Sequence, residues 1–266
     1  FINTNDGKAS LPFMASAIID IDGDGREELF LGGGHGQRDG LFYFDGITFQ
    51  ALADTAGIEK NNSDATYGAV VLDFNKDGTQ DLIVARESGV WLHENRNGKF
   101  ENRKLELDLR DDTHPLSIAI ADLNADGHFD MYVSGYIRND LVQGLNIFNK
   151  ADYGGSSELY INRGDNTFEK KTEDWGLSYT HNTFQSVFID VDVDGDLDLV
   201  VAHDTGQIRT WENTGEKFIR VENPNSKVYS YPMGIAVADY DNNGLVDFFF
   251  SNVGSTPPHF MVKGDL

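Results

Sequence analysis

Residues 189–201 read IDVDVDGDLDLVV, and this stretch decides the fold. Aspartates occupy every second position from Asp190 to Asp198, and almost all the other residues are valine, isoleucine or leucine. An unpaired carboxylate buried among such side chains costs several kcal/mol, so these aspartates need a counter-charge. The stretch therefore predicts two strands joined by a loop that binds a cation.

The acidic loop recurs along the chain. The pattern D-x-[DN]-x-[DN]-G-x-x-[DE] begins at Asp20, Asp73, Asp122, Asp190 and Asp239, at intervals of 53, 49, 68 and 49 residues. Short apolar runs flank every copy, which favours strands buried on both faces, and each loop is predicted to join a hairpin. The interval is close to the length of one β-propeller blade.

Each of the first four units continues with two more predicted strands. An apolar run leads into a turn rich in Gly, Asn or Asp, and a phenylalanine then opens the next strand (Phe49, Phe100, Phe168 and Phe218). Four strands per unit predict an all-β fold, a β-propeller of four-stranded blades. We expect one domain over residues 1–266, with repeats at approximately 14–66, 67–115, 116–183, 184–232 and 233–266.

The two ends of the sequence leave the number of blades open. FINTNDG at residues 1–7 resembles YINRGDN at 160–166, whereas the fifth unit stops at HFMVKGDL, before its fourth strand. Residues 1–13 would then complete the last blade and close a five-bladed ring, or the chain is part of a seven-bladed propeller. Exposed sheet edges in an open piece invite aggregation, which favours closure.

The spacing of the acidic residues points to Ca²⁺. In an extended loop, side-chain oxygens at positions 1, 3 and 5 converge, Gly at position 6 permits a sharp turn, position 7 offers its carbonyl, and position 9 closes the shell. The predicted ligand positions, for up to five Ca²⁺ ions, are Asp20, Asp22, Asp24, Arg26 and Glu28; Asp73, Asn75, Asp77, Thr79 and Asp81; Asp122, Asn124, Asp126, His128 and Asp130; Asp190, Asp192, Asp194, Asp196 and Asp198; Asp239, Asp241, Asn243, Leu245 and Asp247. Asn243 replaces a carboxylate, so the fifth loop should bind most weakly.

Two other calcium-binding folds are excluded by the same spacing. An EF-hand needs Glu at position 12, but Leu31, Val84, Val133, Val201 and Phe250 stand there. A β-roll would repeat every nine residues rather than about every fifty.

The composition limits the class of partner. The formal charge of −23 repels nucleic acid and anionic lipid surfaces. The chain contains no cysteine, so disulfides and thiolate metal sites are excluded, and no apolar run approaches the length of a transmembrane helix. Because the first residue is Phe1, we expect the native start, with any signal peptide, to lie upstream.

The repeats resemble a known family. The segments IDIDGDGREELF, ELYINRGDNTFEKKTEDWGL and AVADYDNNGLVDFFFSN are similar to FG-GAP or VCBS repeats, and most of all to the cartilage acidic protein group and its bacterial relatives. The resemblance implies a secreted, cell-surface or periplasmic propeller with calcium at the positions given above. It also implies that the chain is a binding module for adhesion or for recognition of a protein or glycan. Those relatives usually have more blades and a further C-terminal domain.

Three segments are predicted to form the partner-binding face. The insertion at about 136–156 and the loops at 32–40 and 254–259 leave equivalent strands of their own units. By contrast, Arg163-Gly164-Asp165 falls where other units have a hairpin turn, so a turn is predicted there rather than an integrin-recognition site.

No catalytic constellation is recognisable in the sequence, so an enzyme is not predicted. The principal alternative is the propeller of a secreted polysaccharide lyase or hydrolase, which would need His, Tyr and Arg side chains converging in a central funnel. A purely structural scaffold is the third interpretation.

Overall fold

The computed structural model describes residues 14–58, 64–141, 154–204, 206–222 and 232–252. They pack as two compact units, the first within residues 1–107 and 114–118, and the second within 108–113 and 119–266. Within the described residues there is no helix of the length and hydropathy that crossing a bilayer requires.

The first unit contains two four-stranded sheets. In each, strands that follow one another in the chain pair antiparallel, with turn-forming Gly, Asn and Asp residues between them. The strands are β1 Ser16–Ile19, β2 Glu28–Leu31, β3 Gly40–Phe44 and β4 Phe49–Ala51, then β5 Thr66–Leu72, β6 Asp81–Arg86, β7 Gly89–Asn95 and β8 Phe100–Lys104. Side chains of both sheets form one apolar core that includes Phe30, Leu41 and Leu82.

The second unit repeats this plan. Its strands are β9 Thr113–Ala121, of which residues 114–118 are counted with the first unit, β10 Asp130–Ile137, β11 Glu158–Asn162 and β12 Phe168–Lys170; β13 Thr183–Ile189, β14 Asp198–His203, β15 Arg209–Asn213 and β16 Phe218–Val221; and the pair β17 Pro232–Ala238 and β18 Asp247–Asn252. A short 3₁₀ turn, Asn139–Leu141, follows β10. The core includes Tyr132, Leu159, Leu199 and Trp211.

The predicted strand order is confirmed in the first four sequence repeats. Each has four strands, and the fourth strand begins at the predicted phenylalanine in every case. In each of these sheets the four strands lie side by side in the order in which they occur in the chain. This order is that of a propeller blade. The third and fourth strands predicted for the fifth unit fall outside the described residues, so closure and blade number stay predictions.

The prediction that all hairpin strands are buried on both faces is wrong for some of them. Every residue of β6 and β14 is buried, as predicted. In contrast, most residues of β1, β17 and β18 are exposed or only partly buried. Phe249 of β18, for example, is 70 % exposed. An apolar run therefore does not reveal whether the second face of its sheet is covered by a neighbour.

Candidate metal centres

The first aspartate of every acidic loop holds that loop in a tight curl. Its Oδ2 accepts the backbone N–H of the Gly at position 6, at 2.9 to 3.1 Å. Its Oδ1 accepts an N–H from position 4 or 5, at 2.7 to 3.2 Å. The fifth-position side chain, carboxylate or Asn amide, accepts the N–H of position 7. The loops are thus preformed by their own hydrogen bonds.

The curl requires left-handed backbone at two positions of each loop. The Gly at position 6 has φ between 83° and 100°, which explains that glycine. Position 4 is also left-handed, although only Gly23 is a glycine there; the others are Lys76, Ala125, Val193 and Asn242, with φ between 55° and 65°. No side-chain pattern in the sequence marks this second position.

Carboxylates converge inside three of the loops. One oxygen from each of three aspartates lies within 4.8 Å of the others in the triads Asp20, Asp22 and Asp24; Asp190, Asp192 and Asp194; Asp239, Asp241 and Asp247. In the second and third loops position 3 is Asn, and the amides of Asn75 and Asn124 donate to the fifth-position carboxylates at 3.0 and 2.9 Å. The side chains at positions 3 and 5 therefore meet in these loops too.

The ninth-position carboxylates carry a structural role that the spacing alone does not reveal. Glu28, Asp81, Asp130 and Asp198 are at most 5 % exposed. One oxygen of each, and of Asp247, accepts the backbone N–H of position 2 in its own loop, at 2.9 to 3.1 Å. Lone pairs remain on these oxygens for a cation.

Three buried asparagines that sequence reasoning missed complete this arrangement. Asn95, Asn162 and Asn213 end the third strands, and the backbone N–H of each donates to the other oxygen of the ninth-position carboxylate at 2.7 to 2.9 Å. Their amides donate to the carbonyl of position 8 and accept an N–H from the following turn. The recurring N-x-x-G or N-x-G in these turns is the sequence pattern from which these asparagines could have been predicted.

Burial and crowding disfavour the ionised form of several loop carboxylates. Desolvation, opposed by hydrogen bonds from Asn162 and Leu123, raises the pKa of Asp130 to about 6, and neighbouring aspartates add to the effect. The pKa values of Glu28 and Asp81 are raised for the same leading reason. A bound cation would oppose all three shifts, because it stabilises the ionised carboxylate.

The fourth loop contains a polar atom without a partner. Asp196 Oδ1 is shielded from solvent and accepts no hydrogen bond from any residue that the structure describes. Desolvation, followed by repulsion from Asp194 and Asp198, raises the pKa of Asp196 to about 6. Such an atom next to a triad of aspartates fits a site built for a cation.

The structure places the other predicted features as follows. Arg163-Gly164-Asp165 lies in the turn between β11 and β12, as predicted: Asp165 accepts hydrogen bonds from Thr167, and Arg163 pairs with Glu169 at 3.2 Å. Of the three loops assigned to a partner face, 254–259 and residues 142–153 of the insertion lie outside the described residues.

The glycine-rich loop at 32–40 is described, and buried contacts attach it to the first unit. Asp39 is buried, where it accepts the N–H of Gly33 at 2.6 Å and pairs with the buried Arg86 at 2.8 Å. His35 is partly buried and pairs with Glu87 at 3.0 Å. A ligand for this face would therefore meet a preformed surface.

His, Tyr and Arg side chains do converge in the second unit. The Tyr179 hydroxyl contacts the Tyr132 hydroxyl at 2.8 Å and His203 Nε2 at 3.1 Å, and the Arg209 guanidinium lies 4.8 Å from the Tyr179 ring centre. Desolvation raises the pKa of both tyrosines and lowers that of His203. This arrangement suits packing better than proton transfer, which needs a pKa near the working pH.

A hairpin repeat whose tip carries an aspartate-rich loop, followed by two outer strands, defines a class of propeller-like repeat proteins. FG-GAP-like repeats match residues 20–84, 73–133, 139–201 and 190–250, and the chain belongs to this family. Three of these matches begin at the first position of an acidic loop, and all four end at the twelfth position of a loop. A segment matched by the family model thus extends from one acidic loop to the strand that follows the next loop.

Relatives outside the family assignment are distant. The chain is 25 % identical over 217 residues to a T-cell immunomodulatory protein homolog of Plasmodium falciparum, covering 76 % of this chain and 26 % of that protein. Among solved structures it resembles Saccharomyces cerevisiae Sqt1 (TM-score 0.49, 15 % identity, 90 % of this chain and 61 % of that one). It also resembles the extracellular domain of BT4673 from B. thetaiotaomicron (TM-score 0.44, 16 % identity, 83 % and 24 %).

Proposed function

We propose that this chain is a calcium-stabilised, propeller-like binding module that acts outside the cytoplasm on a protein or glycan partner. The observation that carries the proposal is the convergence of three aspartate oxygens within 4.8 Å at the tips of three hairpins. FG-GAP-like repeats over most of the chain support a recognition role. An extracellular adhesion role like that of the cartilage acidic protein group is part of the proposal.

The residues present fit calcium better than other common cations. Positions 1, 3, 5 and 9 of every loop carry only Asp, Asn or Glu, which offer side-chain oxygens, and position 7 offers its backbone carbonyl. Ca²⁺ accepts six to eight oxygen ligands in flexible geometry, whereas Mg²⁺ demands a tighter octahedron. When bound, the ion offsets two of the three or four negative charges at positions 1, 3, 5 and 9 of its loop, and it links the two strands of the hairpin.

The test is thermal unfolding of the 266-residue chain in EDTA, in Ca²⁺ and in Mg²⁺. A ligand that binds only the folded state stabilises it by about 2 kcal/mol per site at fifty times its Kd, so Ca²⁺ should raise the Tm clearly. Mg²⁺ should restore less. Equal melting temperatures in EDTA and Ca²⁺ would refute the proposal.

A matched pair of variants locates the effect. Asp194→Asn removes one carboxylate of the fourth-loop triad and should reduce the calcium-dependent rise in Tm. Glu216→Gln removes an exposed carboxylate from the turn between β15 and β16 of the same sheet, and should leave that rise unchanged. If both variants behaved alike, the stabilisation would reflect general charge screening.

A further inference from the structure

A polar cavity lies in the second unit, at the ends of the strands opposite the acidic loops. Its volume is about 710 Å³. β10 runs away from the third acidic loop, and β11 pairs antiparallel with it, so the start of β11 at Glu158 lies at the far end of the sheet. The cavity is lined by Asp108, Arg110, Ser156, Ser157, Glu158, Lys170, Thr172, Glu173, Asp174, Ser178, Tyr179 and Thr180.

The floor of this cavity is held in place by a network around Glu158. This glutamate is only 5 % exposed, and its Oε2 accepts the Thr172 hydroxyl at 2.6 Å, while Oε1 pairs with Lys170 Nζ at 3.0 Å. Lys170 and Tyr160 both donate to the carbonyl of Asp108, at 3.2 and 2.9 Å. The segment that forms one wall is therefore fastened to the sheet.

The cavity has an excess of negative charge. Its lining contains four acidic side chains and two basic ones. Both basic groups are already paired: Lys170 with Glu158, and Arg110 with Asp112 through two hydrogen bonds of 3.0 and 2.7 Å. The Glu173 carboxylate, on the rim, has no hydrogen-bond or ion-pair partner within the described ranges. A cationic group would gain from this field.

The cavity also presents unused hydroxyl groups. Ser156 and Thr180 lie side by side in a backbone bridge, and Ser178 is close in sequence. Across the part of the chain that the structure describes, none of these three hydroxyls has a hydrogen-bond partner. They can donate to and accept from a ligand that carries hydroxyl groups of its own.

The residues that line the cavity favour one of two kinds of cationic ligand, a basic side chain of a partner protein or a cation that carries hydroxyl groups. A lysine or arginine side chain of a partner protein carries its charge on an apolar stem, which gains by packing along apolar surface. No aliphatic side chain lines this cavity, and Tyr179 is its one aromatic residue. The lining instead suits a compact ligand that is hydroxylated throughout.

We propose that this cavity binds an amino sugar with a free, protonated amine, as in a glucosamine oligosaccharide. The amine meets the Glu173 carboxylate, since the neighbouring Asp174 already pairs with Lys171 at 3.0 Å, and the sugar hydroxyls meet Ser156, Ser178 and Thr180. The inference rests on the proposed binding function and names its ligand class. Uronic acids are excluded by the same charge.

Isothermal titration calorimetry on the full chain at about pH 6, with saturating Ca²⁺, tests the proposal. A tetramer of glucosamine should bind, and its fully N-acetylated counterpart, which keeps the sugar backbone but carries neutral acetamido groups in place of the amines, should bind at least about five-fold more weakly. Raising the salt concentration should weaken the first interaction only.

Two variants test the assignment of the residues. Glu173→Gln should weaken binding about two- to five-fold, and Ser178→Ala about two- to ten-fold, because each removes one exposed interaction. Glu216→Gln, which changes another exposed glutamate in a different sheet, should have no effect. Equal losses in all three variants would overturn the assignment.

The remaining outcomes are decisive. Equal affinity for the acetylated tetramer, binding of a short lysine peptide but not of the sugar, or no binding of any probe would overturn the inference. The calcium-dependent Tm, measured on the same sample, separates failure of this inference from failure of the proposed function.

Discussion

At the scale of single residues, backbone strain is concentrated in the acidic loops. Position 4 of every loop adopts φ between 55° and 72°, a region that L-residues other than Asn and Asp seldom occupy. Val193 is the extreme case, because its branched side chain clashes most with this backbone, and it is 63 % exposed, so it gains little from burial.

Replacing Val193 with glycine should therefore stabilise the protein. Relief of left-handed strain, partly offset by the greater freedom of glycine in the unfolded chain, should raise the free energy of unfolding by about 1 kcal/mol. Urea denaturation in EDTA measures this without a contribution from metal. Val191→Gly serves as the control: it has no positive φ to relieve, and it should destabilise the fold. A loss of stability in Val193→Gly would contradict the strain argument.

At the scale of the hairpin, the ninth-position carboxylate and the third-strand asparagine connect three strands. Asp198 accepts N–H groups from Val191 and Asn213, and the Asn213 amide donates to the Leu197 carbonyl at 3.2 Å. The same contacts recur around Asp81 and Asp130. These buried polar groups satisfy one another, so loss of one member leaves its partners unpaired.

Asn213→Ala should destabilise the protein by about 1 to 2 kcal/mol, since the partly buried Leu197 carbonyl loses its partner and the exposed Gly215 N–H must turn to water. Denaturant unfolding of the variant measures the loss. Thr214→Ala, at the exposed neighbouring position, should cost about 0.5 kcal/mol or less. Similar costs for the two substitutions would show that the asparagine contributes nothing specific.

At the scale of the whole molecule, buried histidines make stability depend on pH. Burial, assisted by the nearby Arg86, lowers the pKa of His93 in the first unit to about 4. Burial and Arg209 lower the pKa of His181 in the second unit to about 4 as well. An unfolded histidine titrates near 6.5, so the unfolded state binds more protons between these values. Stability contributed by the neutral rings is complete above pH 6.5 and falls as the pH falls towards 4.

His93→Gln should flatten this dependence. Each lowered histidine pKa reduces the free energy of unfolding of the wild type by about 2 kcal/mol at pH 5 relative to pH 7. The variant lacks His93 and therefore does not lose that contribution. Urea midpoints at pH 5, 6 and 7 measure the stability of both proteins. The carboxylates titrate in both, so their contribution cancels in the difference between the two stabilities. An identical pH profile for both would show that His93 is not held neutral by the fold.

The sequence by itself determined the strand order of the first four repeats, the family, the hairpin turn at Arg163-Gly164-Asp165 and the candidate metal loops. These features are local: a loop of nine residues carries its own ligands, and its turn chemistry follows from glycine and short polar side chains. Each is repeated, so every copy supports the others.

Only the tertiary structure decided which apolar strands are covered, what the ninth-position carboxylates bind, and where a cavity forms. Asn213 and Asp198, or Asp108 and Lys170, lie far apart in the chain and meet because sheet pairing brings them together. The burial that lowers the pKa of His93 likewise depends on the packing of a whole core. Such properties arise from contacts between distant segments, and a local pattern of residues carries no record of them.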